Sequence, residues 1–225
     1  MIGLSKYGFI LICITLLFSC KSTEEFGYTK YDLKQNFLYE DIPDTTFIAL
    51  QKYDANFLYD LKYATEDNFT KQKIYDCATC LLRKKAADYL IKANKAAKQQ
   101  GYYIKIFDCY RPLDVQKKMW ELVPNPDYVA NPKNGSVHNR GCAVDITLTD
   151  KNKNNIDMGT SFDYFGIEAS HNYIKLDSTI IKNRKTLKSI MQEANFSPLN
   201  SEWWHYNLNE GTKEKISNFK WNCEP

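Results

Sequence analysis

Apolar residues between Leu82 and Ala97 (Leu82, Ala86, Tyr89, Leu90, Ala93, Ala97) follow helical spacing, and Gly101 stops the pattern, which predicts a core-packed helix over residues 81–99. Tyr102 to Phe107 alternates as a strand does and ends at Asp108. Pro112 suits the first turn of a second helix that runs to about Val123. Further on, Gly141 and the polar residues before it read as a tight turn, and Ala143 to Thr149 reads as a buried strand rich in β-branched positions. Asp177 is a fair N-cap for a third helix with Ile181, Leu187, Ile190, Met191 and Ala194 on one side, ending before Pro198. Trp203 to Leu208 is predicted as a final core strand. Helices and strands do not alternate as regular βαβ units, so the pattern reads as a single α+β domain with a mainly antiparallel sheet.

The first residues follow a different pattern. Lys6 precedes an apolar run from Tyr7 to Phe18 that is too short to span a bilayer, and Leu17-Phe18-Ser19-Cys20 has the form of a lipoprotein cleavage box. Residues 1–19 are therefore expected to be a signal peptide, with a lipid on Cys20 as a membrane anchor. Residues 20–30 would form a flexible tether, and 31–225 the folded domain. The domain would lie outside the cytoplasm, on a membrane surface.

Composition adds exclusions. Of 225 residues, 206 remain after the first 19, enough for one domain with a sizeable core. The formal charge of +3 falls to +2 once Lys6 is gone. That is too small and too scattered to argue for nucleic acid, and no obligate protein partner is evident. Of seven cysteines, Cys77, Cys80, Cys109, Cys142 and Cys223 lie in the domain. Five is odd, so one or two disulfides and at least one free thiol are expected, with Cys223 placed to pin the C-terminus. Cys77-x-x-Cys80 taken alone is weak evidence for a metal or redox pair.

The chain has only three histidines. His138 and Asp145 stand at either end of the predicted turn and can face each other across it. A carboxylate at the start of an apolar strand is costly unless it is paired or bound to a cation, and zinc suits a His/Asp pair. His205 is the natural third ligand, and Glu202 stands three residues before it. Three protein ligands leave a fourth position for a water, whose proton a nearby carboxylate can take. His171 lies on a polar segment without a partner motif and reads as a solvated loop residue.

Six pieces in one order carry a resemblance that runs from about Tyr53 to Tyr206: Lys62-Tyr63-Ala64-Thr65, Asn68-Phe69-Thr70, Asp108-Cys109-Tyr110-Arg111-Pro112, Ser136 to Asp145, Met158 to Asp163, and Glu202-Trp203-Trp204-His205-Tyr206. Together they resemble the zinc D-alanyl-D-alanine dipeptidases of peptidase family M15, including the vancomycin-resistance type. The resemblance implies the small zinc D,D-peptidase fold, one Zn2+ per chain on His138, Asp145 and His205, and Glu202 as general base and then acid. It also implies Arg111 as the stabiliser of the developing oxyanion, which Asp108 could orient. Asp163, with Ser136 and Tyr63, matches the positions that bind the ammonium of a free dipeptide. The implied reaction is hydrolysis of D-alanyl-D-alanine or a similar D,D-dipeptide.

Two other functions compete with it: a zinc D,D-carboxypeptidase acting on longer cell-wall peptides, and a zinc-stabilised module that holds such peptides without cutting them. Glu202 and Arg111 together speak against the module, because a purely structural site needs neither. Two departures from the family pattern stand out. Cys142, where relatives carry a small hydroxyl or alanine, reads as a small buried packer. The connection from Trp120 to Ser136 is shorter than in the vancomycin-resistance enzymes.

Overall fold

The computed structural model describes residues 42–223, which belong to a compact unit spanning Glu40–Pro225. The expected signal peptide, Cys20 and the tether lie outside the described residues. Among the described residues no helix is long and apolar enough to cross a membrane.

In chain order the elements are β1 (Phe47–Ala49), α1 (Leu50–Tyr53), β2 (Leu58–Tyr59), β3 (Leu81–Arg83), α2 (Lys84–Gln99), β4 (Tyr103–Asp108), α3 (Leu113–Leu122), β5 (Ala143–Thr149), α4 (Ser178–Glu193), β6 (Phe196–Pro198) and β7 (His205–Leu208). A five-stranded sheet has the order β2-β4-β5-β7-β6, and β1 pairs with β3 in a separate two-stranded sheet. Only the β2/β4 pair is parallel. The α+β fold with a mainly antiparallel sheet is as expected.

Every residue of β5 is buried, so the central strand is covered on both faces. Alternation along an extended strand puts Val144, Ile146 and Leu148 on one face, in the same apolar cluster as Ala86, Leu90, Ala93 and Ala97 of α2 and Leu187, Ile190 and Met191 of α4. Asp145 belongs to the opposite face, where α2 and α4 do not supply a hydrocarbon cover. Burying an unpaired carboxylate there would be costly, so its partners are what the fold has to provide.

The predicted helix over 81–99 begins three residues late. Leu81 and Leu82 are spent on β3, which pairs antiparallel with β1, and the backbone turns helical only after Arg83 (φ −60°, ψ 141°). Pro112 is the N-cap of α3 rather than its first residue. Asp177 caps α4 as expected, its carboxylate accepting from the Thr179 amide at 2.7 Å. The last strand starts at His205 and not at Trp203; Trp203 and Trp204 lie in a turn, closed by the His205 amide donating to the Glu202 carbonyl.

Two disulfides tie this frame together, Cys77 to Cys223 and Cys80 to Cys109. Each member of Cys77-x-x-Cys80 is used in a different bridge, so the pair is neither a metal clip nor a redox pair. Cys142 is free and buried, its thiol pushed up to about 12 by burial, which fits a packing role. Cys223 pins the C-terminal segment, which crosses the domain without regular structure after residue 213.

Candidate active site

Strand register places three site residues in one row across the sheet. Asp145 on β5 pairs with Asp108 on β4 on one side and with His205 on β7 on the other. His138 reaches the same point from the short helical turn His138–Arg140. Gly141 ends that turn at φ +70°, and a Cβ there would run into the Phe47 ring, so glycine is required on both counts.

Three donor atoms converge. His138 Nε2 stands 3.3 Å from Asp145 Oδ1, His205 Nδ1 stands 3.1 Å from the same oxygen, and the two ring nitrogens are 3.2 Å apart. Donors held at about 2.0–2.1 Å around a tetrahedral zinc ion stand roughly 3.3–3.4 Å from one another. The opposite ring nitrogens fix the tautomers. His138 Nδ1 faces the Cys109 carbonyl at 2.6 Å and His205 Nε2 faces the Asn207 amide oxygen at 2.9 Å, so each must carry a proton to donate. When both rings are neutral, as metal ligation requires, two lone pairs and a carboxylate point at one another at contact distance, an arrangement that suits a cation between them. The residues present fit zinc.

Charges around the centre follow from burial and pairing. Burial alone would raise Asp145, but His138 and His205 hold its carboxyl well below the usual carboxylate range. His205 is drawn the other way: burial lowers it, and Asp145 and Glu202 lift it above the ordinary imidazole value. Glu202 Oε2 lies 3.9 Å from His205 Nδ1, near the centre but outside hydrogen-bond distance. Burial raises its carboxyl, against the pull of His205.

Arg111 is held by a fork. Its Nη2 and Nε donate to Asp108 Oδ2 at 2.7 and 3.2 Å, its Nη1 donates to Gln116 Oε1 at 3.0 Å, and the Tyr63 ring lies under the guanidinium at 5.2 Å. Asp108 completes its own set by accepting from Tyr75 at 2.7 Å. Asp163 adopts φ +58°, a left-handed conformation that aspartate tolerates, and its Oδ1 accepts from the Tyr63 hydroxyl at 3.0 Å. Its other oxygen is buried with no hydrogen-bond partner among the described residues. Burial, with Asp145 nearby, pushes its carboxyl up to about 8.

Eight of the residues singled out in the sequence (Tyr63, Arg111, Ser136, His138, Asp145, Asp163, Glu202 and His205) line one cavity of about 810 Å³. Asp108 stands behind Arg111, fully buried. Gln116, Tyr75, Asn139 and Asn207 were not foreseen. Asn139 lies inside the histidine motif, where its side chain accepts from the Ser136 amide and donates to the Arg111 carbonyl. Gln116 follows Arg111 by five residues, just over one helical turn. Nothing local in the sequence marks Tyr75. His171 is not the solvated loop residue expected. It is half-buried against Tyr206, its Nε2 lacks a partner among the described residues, and burial takes its pKa down to about 4.

The sequence profile of a peptidase family described as D-ala-D-ala dipeptidase matches residues 44–222. The chain belongs to this family. A D-alanyl-D-alanine dipeptidase of Escherichia coli (strain K12) is 38% identical over 115 residues, covering 51% of this chain and 59% of the relative. One of Enterococcus faecium is 34% identical over 84 residues, covering 37% of this chain and 40% of the relative. The matched stretches thus span less than two thirds of these relatives. A crystal structure of a vancomycin-resistance D,D-pentapeptidase in complex with Zn(II) superposes with a TM-score of 0.40 at 17% identity, covering 60% of this chain and 78% of that one. The matched range, residues 44–222, includes the eight residues that line the cavity.

Proposed function

We propose that the chain is a zinc dipeptidase that hydrolyses D-alanyl-D-alanine or related D,D-dipeptides, with the metal on His138, Asp145 and His205. Bound there, zinc would supply Lewis acidity towards the peptide carbonyl and lower the pKa of a water to about 7. Glu202, close to the centre without belonging to it, takes the water's proton and returns it to the leaving amine. Arg111, its plane fixed by Asp108 and Gln116, faces the charge that grows on the carbonyl oxygen. Tyr63 and Ser136 frame the amine end with Asp163.

Asp163 carries the choice of a free dipeptide. A carboxyl group with one oxygen buried, unpartnered among the described residues and part of the cleft wall suits the ammonium of a substrate whose N-terminus lies one residue from the cut, since the incoming charge favours the ionised form. A longer peptide has an uncharged amide at that place. The size of the cleft, about 810 Å³, favours the second reading, a D,D-carboxypeptidase, because it leaves room beyond two alanines. Zinc-loaded protein should cleave D-alanyl-D-alanine faster than a pentapeptide ending in it. Asp163→Asn should raise KM for the dipeptide by about 10-fold to 100-fold, the worth of a charged hydrogen bond. Preference for the pentapeptide, with KM unmoved by the substitution, would replace the dipeptidase reading by the carboxypeptidase one.

Residues 1–19 are assigned as a signal, Cys20 as a lipid anchor, 20–30 as a tether and 31–225 as the catalytic domain. The pairings Cys77–Cys223 and Cys80–Cys109 support an oxidising compartment outside the cytoplasm. Cys20→Ser should move the protein out of the membrane fraction. Finding the parent wholly in the soluble fraction would remove the anchor.

A further inference from the structure

We propose that Trp221 and the Cys77–Cys223 disulfide are positioning residues for Arg111, acting through Tyr75 and Asp108. The inference rests on the role given to Arg111 above and extends it to the C-terminal segment, which the family motifs do not include.

The chain of contacts starts at Asp108. Both of its oxygens are committed, Oδ2 to the Arg111 fork and Oδ1 to the Tyr75 hydroxyl, so the rotation of this carboxylate, and with it the guanidinium plane, depends on where Tyr75 sits. Tyr75 lies on an irregular segment, between the short turn ending at Ala64 and β3, where its backbone is held by its amide donating to the Tyr63 carbonyl at 2.9 Å and its ring by its neighbours. Its ring is clasped edge-on between Tyr63 on one side (5.9 Å) and Trp221 on the other (5.9 Å). Trp221 donates from Nε1 to Cys77 Sγ at 3.1 Å and is bracketed by the disulfide two residues on. The same indole also stands 6.2 Å from Tyr110, the chain neighbour of Arg111.

The rest of the segment converges on the same residue. Tyr110 donates its hydroxyl to the Phe219 carbonyl at 3.0 Å. The Ser217 amide donates to the Asn139 carbonyl at 2.8 Å, and the Asn139 side chain donates to the Arg111 carbonyl at 2.8 Å. Arg111 is therefore reached through its side chain, its carbonyl and its neighbour. The proton-bearing nitrogens of the two proposed ligand histidines are held instead by Cys109 and Asn207, at 2.6 and 2.9 Å, with Asp108 Oδ2 standing farther from His138 Nδ1, at 3.7 Å. Disturbing Trp221 should consequently separate the guanidinium from the metal. Trp221 is only half-buried, so truncating it does not empty the core.

The test compares the parent, Trp221→Ala, Trp221→Phe, Tyr75→Phe and the double variant Cys77→Ser/Cys223→Ser, all zinc-loaded. The readouts are kcat and KM on D-alanyl-D-alanine, bound zinc, and proton exchange at the Arg111 Nε–H by 15N NMR. Trp221→Ala is expected to keep one zinc and a KM within about twofold while kcat falls about tenfold, since small misplacements of a catalytic group cost up to about 100-fold. Exchange at Arg111 Nε–H should quicken about tenfold. Tyr75→Phe, which removes one hydroxyl and keeps the ring stack, should show the same loss, the double cysteine variant should follow it, and Trp221→Phe should recover most of the parent kcat.

Parent-like kcat and exchange in Trp221→Ala would overturn the proposal. So would loss of zinc or of fold in step with kcat in Trp221→Ala, if Tyr75→Phe stayed at the parent rate. A parent enzyme that cleaves no D,D-peptide would sink the dipeptidase reading instead, and the exchange rates would still decide the positioning chain.

Discussion

Glu202→Gln is expected to keep zinc and fold while losing about 100-fold to 10,000-fold of the hydrolysis rate, the usual worth of a general acid-base group. The two side chains are nearly isosteric, and Glu202 Oε2 lies 3.9 Å from His205 Nδ1, outside the proposed ligand set, so no coordination bond is lost. What disappears is a carboxylate able to accept a proton. Burial lifts its proton affinity above that of an ordinary glutamate, and a base with a higher pKa holds the water's proton better before passing it to the amine. The loss should fall on kcat, with KM little changed, because the proton moves only in the chemical step. The measurement is kcat and KM on D-alanyl-D-alanine together with zinc content. A zinc-loaded Glu202→Gln protein working at the parent rate would remove Glu202 from the mechanism while leaving the metal site intact.

The sequence announced the site better than it announced the frame. His138, Gly141 and Asp145 are legible because a tight turn must bring its two ends together, whatever the rest of the fold does. His205 and Asp145 could be named as co-ligands by their chemistry, but the register that places them opposite each other on neighbouring strands is a long-range fact that local pattern does not contain. Leu81 and Leu82 show the limit from the other side. The spacing of Leu82 continues the helix of Lys84–Gln99, yet pairing of both with Phe47–Ala49 outweighs that preference. The orienting residues were the least visible. Tyr75 and Asn139 reach Asp108 and Arg111 from elsewhere in the chain, Asn207 reaches His205 from two residues along the same strand, and an isolated tyrosine or asparagine carries no signature of such a bond. The paired cysteines fall between these cases. Five cysteines imply bridges and a leftover thiol, while connectivity needs the three-dimensional distances.

The other large effect expected is loss of the metal in His138→Ala. Removing one of three protein ligands should abolish stoichiometric zinc and all measurable hydrolysis, and the consequence for stability can be argued as well. Asp145 is 3% exposed, and its charge is held by His138 and His205. Removing His138 also leaves the buried Cys109 carbonyl without its donor, which typically costs about 1–3 kcal/mol. Zinc adds a separate contribution, since a ligand present at 1,000 times its Kd stabilises the folded state by about 4 kcal/mol. The parent should therefore lose thermal stability when a chelator is added, and His138→Ala should melt below the parent with or without the chelator. Its own melting temperature should not respond to added zinc. If instead His138→Ala still bound one tight zinc, or if the chelator left the parent's melting temperature unchanged, the cluster of His138, Asp145 and His205 would not be the metal centre, and the facing lone pairs would need another source of compensation.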